Sequence, residues 1–550
     1  MGAAKAAAAG PRPEPAAAGP RPEPAAAGPR PGPGATGPRP EPGATALRSA
    51  RDSVGIDGER FRAIGHELVD RIGHFFDAMH EGPIYTATPG DELRRLLGQR
   101  PLPPDGADAG DLVARAAGLC LENSVLVGHG RFWGYVHGAA SPLGALADLL
   151  ASALNSPVTS PRTGPISSAI EEQTVRWVAE LVGFPAGGGL FLSGGSMANF
   201  VALRAALHAR LPWNVRELGM IHPRAAAVRF YATGQTHTSV AKALALLGLG
   251  TRALVEVATD AAGRMDPDAL ERRLRLDRDQ GLEPLAVVGT AGTTSTGAVD
   301  PLPALAALCR EQGLWLHVDG AYGAPACLSP LAPPEILGLR EADSLVVDAH
   351  KWLYQPLEAG CVLVRDPRLL YDAFCFQSDY YSLSGAKASD EPLPLRDQGP
   401  QTSRGFRALK VWLALQHLGR GGYAARVTED IELARHLYAL AERHPELEAC
   451  SLGLSIATFR YVPRELAPDA EKHRAYLDEL NREILARLQD SGAAYPSHTT
   501  VKDAYVLRVC VVNFNTTRDD IESLPPLVAE LGAAIHAERR ALAAGGAPSQ

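Results

Sequence analysis

The chain has little cysteine and little lysine for its 550 residues. Its seven cysteines are scattered without a Cys-x-x-Cys pair or metal-ligand spacing, which argues against a disulfide framework or a metal site and predicts reduced thiols. No window approaches the roughly 18 uninterrupted apolar residues of a transmembrane helix, and the N-terminus has no signal-peptide pattern. A net charge of −8 gives no basic footprint for nucleic acid. We therefore expect a cytoplasmic protein that binds neither membranes nor nucleic acid.

The N-terminal segment lacks side chains that could form a core. Residues 7 to 42 hold four copies of a nine-residue unit, Ala-Ala-Ala-Gly-Pro-Arg-Pro-Glu-Pro and diverged versions of it. The prolines enforce an extended backbone, and the arginine and glutamate side chains keep the unit solvated. We predict a disordered extension over residues 1–50 and a short disordered tail over residues 541–550.

Between these ends, the hydrophobic pattern predicts three parts. Apolar residues recur at three- and four-residue steps from Phe61 to Phe76, which predicts an amphipathic helix within an N-terminal helical arm over residues 51–130. Strand-like runs alternate with helices over residues 131–400, which predicts a large α/β domain on a mostly parallel sheet. Residues 401–540 have the pattern of a smaller C-terminal α+β domain.

Only seven of the 54 lysines and arginines are lysine, and one of these seven ends an apolar strand. The run from Ser344 to Asp348 leads directly to His350 and Lys351. A lysine at such a position can be desolvated, which lowers the pKa of its amine and makes it a nucleophile toward a carbonyl. A solvated lysine that caps the strand explains the same residues equally well, so this stretch alone leaves both interpretations open.

Other predicted strands also end on polar residues. Ser193-Gly-Gly-Ser196 follows one strand and opens a helix, an arrangement that presents backbone amides to a phosphate, although an ordinary tight turn has the same pattern. His237, the pair Thr293 and Thr294, and Asp319 each follow or end a further strand. Because the carboxyl ends of parallel strands meet at one edge of a sheet, we expect these groups to share one site.

Together these groups are the parts that a pyridoxal phosphate site requires. A lysine binds the cofactor aldehyde, and a carboxylate keeps the pyridine nitrogen protonated so that the ring accepts electrons. An imidazole or aromatic ring covers one face of the cofactor, and amides at a helix N-terminus hold its phosphate. The combination therefore predicts a pyridoxal phosphate enzyme.

The sequence resembles the group II pyridoxal phosphate-dependent amino acid decarboxylases, relatives of the aromatic L-amino acid and glutamate decarboxylases. The resemblance covers roughly residues 58 to 540. It rests on the motifs Ser193-Gly-Gly-Ser196, Thr236-His237-Thr-Ser, Gly292-Thr-Thr294, His317-Val-Asp319-Gly-Ala321-Tyr, Asp348-Ala-His350-Lys351-Trp352, Gly405-Phe-Arg-Ala-Leu-Lys410 and Leu507-Arg-Val-Cys-Val-Val-Asn513.

The resemblance implies an α/β, fold-type I (aspartate-aminotransferase-like) architecture and a homodimer with its site at the subunit boundary. It implies that an L-amino acid loses carbon dioxide to give an amine. The implied catalytic residues are Lys351, which carries the cofactor, Asp319, which faces the pyridine nitrogen, and His237, which stacks on the ring. The other implied cofactor-binding residues are Gly195, Ser196 and His350 at the phosphate, Ala321 on the second ring face, and Thr293.

Two features depart from the family pattern. Asp348 stands where many members carry asparagine, and a carboxylate beside a phosphate is unfavourable unless it is paired or turned away, so we leave it out of the cofactor site. Residues 391–404 lack the tyrosine with which family decarboxylases return a proton to carbon, and Tyr380 and Tyr381 lie upstream. The proton donor is therefore open, as is the balance between amine formation and oxidative deamination to an aldehyde.

The substrate side chain is less clearly indicated. Val136 and Thr159 stand where relatives with aromatic substrates carry rings, which leaves room for a branched aliphatic side chain. Arg131, Arg162 and His137 could instead receive an acidic side chain. We expect a hydrophobic substrate, aromatic or branched aliphatic. An acidic amino acid, another reaction on the same fold, such as that of a lyase or aminotransferase, and a catalytically silent binding protein are the alternatives.

Overall fold

The computed structural model describes residues 55–98, 101–376 and 393–545. The N-terminal extension predicted for residues 1–50, together with Tyr380 and Tyr381, lies outside the described residues. Contacts between residues divide the chain after Glu67, and the described residues from Leu68 onward form one compact unit. Among the described residues, no helix is long and apolar enough to cross a membrane.

In the part of the chain that the structure describes, five α-helices precede the first strand. They are α1 (Gly58–Asp77), α2 (Gly90–Leu97), α3 (Ala109–Glu122), α4 (Pro142–Leu154) and α5 (Pro165–Val182). The Asp108 carboxylate caps α3 by accepting from the amides of Gly110 and Asp111. Helices α4 and α5 both begin on a proline, whose fixed φ suits the first helical position.

The large sheet has seven strands in the order β1-β7-β6-β5-β4-β2-β3. All but β7 run in one direction, because β7 pairs antiparallel with both of its neighbours. Strands β5, β6 and β7 are buried along their whole length, which explains their continuous apolar runs. The strands are β1 (Gly188–Leu192), β2 (Val228–Thr233), β3 (Leu254–Val257), β4 (Glu283–Thr290), β5 (Trp315–Asp319), β6 (Ser344–Asp348) and β7 (Gly360–Val364).

Helices connect these strands and cover the sheet. They are α6 (Gly195–Arg210), α7 (Val215–Leu218), α8 (Ser239–Leu246), α9 (Pro267–Asp279), α10 (Leu302–Gln312) and α11 (Pro367–Phe374). Helix α6 packs across β5, β6 and β7, whereas α5 packs on β1. The N-terminus of α6 therefore lies at the edge of the sheet where the parallel strands end.

The smaller C-terminal region contains a four-stranded antiparallel sheet in the order β10-β11-β9-β8. Its elements are α12 (Ala408–Arg443, interrupted at Gly419), β8 (Leu447–Gly453), β9 (Ile456–Tyr461), α13 (Arg474–Asp490), β10 (Ser497–Val501), β11 (Ala504–Cys510) and α14 (Arg518–Gly545). Helix α14 continues to Gly545, past residue 541, where we predicted that a disordered tail begins. The predicted combination of a mostly parallel sheet and a smaller α+β region is present.

Candidate active site

A cavity of about 320 Å³ lies at the edge of the large sheet where the parallel strands end. Polar side chains from the loops after β1, β2, β4, β5 and β6 line it. Seven of the eight predicted site residues lie in its wall, namely Gly195, Ser196, His237, Asp319, Ala321, His350 and Lys351. The structure thus brings together residues that are separated by more than 150 positions in the sequence.

The turn from β1 into α6 forms one wall of the cavity. Gly194 has a φ of 132°, which side-chain-bearing residues rarely adopt. A Cβ on Gly195 would lie 2.8 Å from Asp348 Oδ2, and a Cβ on Gly360 of β7 would collide with the backbone of Gly194. The glycines therefore allow the helix N-terminus, with its unpaired amides, to approach the cavity closely, and such an N-terminus binds anions.

Lys351 lies against a carboxylate in this cavity. Its Nζ is 3.0 Å from Asp348 Oδ2, and His350 Nε2 is 3.6 Å from the same oxygen. Burial opposes the charge on the Lys351 amine, but the carboxylates of Asp348 and Asp319 outweigh burial and raise its pKa. Desolvation acts in the predicted direction, but the net pKa of Lys351 is raised and not lowered, because the sequence pattern did not show that Asp348 faces the amine. Asp348, which we left out of the site, lines the cavity as the ion-pair partner of Lys351.

Two neutral imidazoles border the cavity. His237 Nδ1 accepts from the Ser239 amide at 3.3 Å and lies 2.8 Å from Ser239 Oγ. His350 Nδ1 accepts from the Ala359 amide at 3.2 Å. Burial is the main cause that lowers the pKa of both rings. Each ring is therefore neutral near pH 7 and carries its proton on Nε2.

Asp319 is buried and held by two donors. Its Oδ1 accepts from the Ala321 amide at 3.1 Å, and its Oδ2 accepts from Asn199 Nδ2 at 2.9 Å. Asn199 was not predicted to belong to the site. It is a polar residue on the otherwise apolar buried face of α6, three positions after Ser196, and this pattern could have indicated it.

Thr293 is the predicted site residue that does not line the cavity. It is fully buried, its hydroxyl lies 3.0 Å from Thr296 Oγ1, and it accepts from the Ala298 amide at 3.1 Å. Thr294, the next residue, lines the cavity instead. The sequence pattern did not distinguish the two neighbouring hydroxyls.

Trp352, directly after Lys351, is held in place by a ring contact and a hydrogen bond. Its indole stacks on Tyr322 with ring centroids 5.0 Å apart, and its Nε1 donates to Asp430 Oδ2 at 2.8 Å. Tyr354 Oη donates to the same oxygen at 2.7 Å. Burial raises the pKa of Asp430 to about 7. This cluster fixes the backbone that carries Lys351.

A second cavity, of about 470 Å³, adjoins the first and shares His350 with it. Its wall is largely apolar, with contributions from Phe75, Phe76, Met79, Val125, Leu126, Val127, Ala140, Pro142, Leu357 and Phe514. Among the described residues, the only ionisable side chains in its wall are those of His350 and His137, and burial lowers the pKa of both. Gly138 lies against the carbonyl of Lys351, which places this cavity next to the lysine.

The first cavity fits pyridoxal phosphate in its donor chemistry. It presents an amine, a buried carboxylate held in one orientation, a neutral imidazole, and a glycine-lined helix N-terminus within one wall. The shape at Gly195 supports the fit, since the absence of a Cβ leaves an open approach to the helix amides.

Comparison with known proteins agrees with this chemistry. A family model described as the pyridoxal-dependent decarboxylase conserved domain matches residues 102–462. The chain is 34% identical to the aromatic-L-amino-acid decarboxylase of Bacillus atrophaeus over 86% of this chain and 95% of that protein. It is 30% identical to the L-2,4-diaminobutyrate decarboxylase of Rhizobium meliloti over 87% and 93%. It is 28% identical to the phenylacetaldehyde synthase of Petunia hybrida over 83% and 91%.

A solved structure has the same architecture. The structure of Oryza sativa TDC with PLP and tryptamine superposes with a TM-score of 0.80 at 26% identity, over 87% of this chain and 99% of that chain. The chain therefore belongs to the pyridoxal-dependent decarboxylase family. It is a pyridoxal phosphate-dependent amino acid decarboxylase with a fold-type I architecture, which confirms the predicted family, cofactor and reaction class.

Proposed function

We propose that the substrate is an L-amino acid with an apolar side chain, which the enzyme converts to its amine and carbon dioxide. The observation that carries this proposal is the second cavity, because it adjoins Lys351 and is lined mainly by apolar side chains. An apolar side chain gains free energy on entering such a cavity, at about 25 cal/mol for each Å² buried.

A charged substrate side chain finds no charged partner among the described residues of this cavity. Arg131 lies within 3.9 Å of Asp520, Arg162 is exposed, and neither lines the cavity. His137 does line it, but its lowered pKa keeps it neutral near pH 7. The part of the wall that the structure describes contains no carboxylate either, so a basic side chain would be equally unpaired there.

Pyridoxal phosphate supplies the electron sink that allows a carboxylate to leave from the α carbon of an amino acid. We propose that Lys351 binds the cofactor covalently and that Asp319 faces its pyridine nitrogen. His237 and Ala321 cover its two faces. Gly195, Ser196 and His350 hold its phosphate.

Lys351 and Asp348 together determine when the lysine amine loses its proton. The Lys351 amine must lose a proton before it can bond to a carbonyl, and Asp348 Oδ2 is a hydrogen-bond acceptor 3.0 Å from Nζ. Asp348 therefore stabilises the charged lysine, and the ion pair must separate before the covalent bond forms.

We further propose that the enzyme is a cytoplasmic homodimer. Leu146, Leu149, Leu150 and Leu154 form a stripe along α4 and are each 49–55% exposed, so a second copy of the chain would bury them. All seven cysteines are free, as expected in a reducing compartment.

Light scattering tests the dimer. The wild type should have twice the 58.1 kDa mass of one chain, whereas Leu149→Glu should lower the measured mass. Leu337→Glu, at another leucine that is 51% exposed, should not. A wild-type mass of one chain would refute the proposal.

The substrate proposal is tested by measuring carbon dioxide release across the amino acids. Branched aliphatic and aromatic substrates should react, and glutamate should not. Turnover confined to acidic or basic amino acids would contradict the apolar assignment.

A second candidate reaction is decarboxylation with oxidative deamination to an aldehyde, in which dioxygen is the oxidant and is reduced to hydrogen peroxide. One observation favours it: residues 393–404, the described part of the segment before the Phe406-Arg-Ala-Leu-Lys410 motif, contain no tyrosine. Tyr380 and Tyr381 lie outside the described residues. Product analysis separates the two reactions, since an amine supports the first, whereas an aldehyde with ammonia and peroxide supports the second.

A further inference from the structure

Asn199 is a buried amide near the N-terminus of α6 whose amide nitrogen and carbonyl oxygen both have hydrogen-bond partners. Its Nδ2 donates to Asp319 Oδ2 and to Ser239 Oγ, both at 2.9 Å. Its Oδ1 lies 2.9 Å from His317 Nε2. The side chain is only 1% exposed, so a lost contact would not be replaced by bulk water.

A chain of hydrogen bonds fixes which way this amide faces. The indole Nε1 of Trp315 can only donate, and it donates to Ser344 Oγ at 2.9 Å. The single hydrogen of Ser344 is then free for His317 Nδ1, which lies 2.8 Å away. Burial lowers the pKa of His317 to about 4, so the ring is neutral near pH 7 and carries its proton on Nε2. That proton is donated to Asn199 Oδ1, which turns Nδ2 toward Asp319.

The same amide determines the hydrogen bond to His237. Because Ser239 Oγ accepts from Asn199, its own hydrogen points to His237 Nδ1 at 2.8 Å. The ring is thereby held as the tautomer with its proton on Nε2. A hydroxyl that donated elsewhere would leave the imidazole with the weaker contact from the Ser239 amide at 3.3 Å.

For Asp319, the amide supplies a neutral donor. The carboxylate accepts one bond from Asn199 and one from the Ala321 backbone amide. These neutral donors fix the plane of the carboxylate without cancelling its charge. The negative charge therefore stays available for a protonated pyridine nitrogen.

We propose that Asn199 is a positioning residue that orients, through one amide group, both the Asp319 carboxylate and the His237 imidazole. The proposal rests on the roles proposed above for Asp319 and His237. It adds to the site a chain of hydrogen bonds that runs from Trp315 through Ser344 and His317 to Asn199. These three residues do not line the cavity, but they determine the direction of the hydrogen bonds that Asn199 makes in it.

The variant Asn199→Asp tests this proposal with almost no change in shape. An oxygen would replace Nδ2 beside Asp319 Oδ2, and two carboxylates at that distance share one proton and titrate as a pair. The shared proton restores the donor at low pH and is lost as the pH rises through the upper pKa of the pair. We expect the absorbance of the bound cofactor, measured from pH 5 to 9 in the holoenzyme, to gain a transition absent from the wild type.

Kinetics give a second readout. At pH 8 we expect kcat of Asn199→Asp to fall about 100-fold while KM stays within about threefold, because the misplaced groups act on the reacting cofactor and not on substrate binding. The loss should shrink as the pH is lowered.

Asn481→Ala is the matched control. Asn481 is also fully buried. Its side-chain amide accepts from the Tyr461 backbone amide and donates to the carbonyls of Tyr461 and Leu477, but it lies in the smaller C-terminal region. It should lower the melting temperature without changing the pH profile of the cofactor absorbance.

The outcomes separate this inference from the proposed function. If the borohydride-treated wild type carries no pyridoxyl adduct on Lys351, the proposed role of Lys351 fails. If the adduct is present but Asn199→Asp has the pH profile of Asn481→Ala, the positioning inference alone is overturned. Should Asn199→Asp not fold, Ser239→Ala decides. A roughly tenfold lower kcat with an altered absorbance profile supports the inference, and unchanged values overturn it.

Discussion

The two adjoining cavities differ in the chemistry of their walls, because the first is polar and the second is largely apolar. In the first, Asp319, His237 and Lys351 each have partners at hydrogen-bond distance, and the orientation of each group is determined. In the second, the described wall is largely apolar, and two of its residues, His137 and His350, are ionisable. Polar networks fix one arrangement, whereas an apolar pocket discriminates by only about 1–3 kcal/mol for each methylene. We therefore expect reaction type to be strictly determined and side-chain choice to be broad.

The largest expected effect comes from removing the amine of the first cavity. Lys351→Ala should lower carbon dioxide release by at least about 10³-fold, because the cofactor loses its covalent attachment. Lys472→Ala, at an exposed lysine paired with Asp469, should retain wild-type activity. Substantial activity in Lys351→Ala would contradict the assignment of this residue.

A smaller effect is expected from the partner of that amine. Asp348→Asn removes a carboxylate that raises the pKa of Lys351, so the unprotonated amine should be available at lower pH. Below the midpoint of the loading profile, each pKa unit corresponds to about tenfold faster covalent loading of added cofactor. Loading followed by absorbance across pH measures the midpoint. A midpoint that stays in place or moves upward would show that Asp348 does not stabilise the charged lysine.

The second cavity should respond in selectivity. Ala140→Leu places extra methyl groups in its wall, so kcat/KM for the largest accepted substrate should fall about tenfold relative to the smallest. Ala262→Leu, at an exposed alanine outside both cavities, is the control. An equal loss for every substrate would indicate that this cavity does not receive the side chain.

The smallest effect on activity is expected at Asp430, which accepts hydrogen bonds from Trp352 and Tyr354. The pKa of Asp430 is about 7, far above its unfolded value, so the folded state binds this proton more tightly and wild-type stability falls as the pH rises from 4 to 7. Asp430→Asn removes this dependence. Its free energy of unfolding relative to the wild type should rise by about 2 kcal/mol between pH 5 and 7, with kcat within about twofold. A difference that is constant with pH would argue against a protonated Asp430.

The sequence predicted the first cavity far better than the second. The strand-end positions of Lys351, Asp319 and His237 follow from alternation of strands and helices, because parallel strands deliver their carboxyl ends to one edge. The walls of the second cavity come from Phe75, Pro142, Leu357 and other distant segments, and no local pattern encodes that convergence.

Errors within the first cavity have a common physical cause. Thr293 and Thr294 are equivalent in composition, and only the backbone decides which hydroxyl faces the cavity. The pKa of Lys351 depends on a carboxylate whose direction the sequence does not show. The hydrophobic pattern did not indicate strands β3, β8 and β10, because each is an outer strand of its sheet with exposed positions.

The contact between Gly194 and Gly360 constrains how this gene can vary. A single methyl group on Gly360 would meet the Gly194 backbone, and the φ of 132° at Gly194 excludes almost every other residue at the second position. A substitution at one position cannot be compensated at the other, because each glycine is required for its own reason. Among natural variants of this enzyme, missense changes at these two codons should therefore be depleted, and those that do occur should lower the activity of the enzyme.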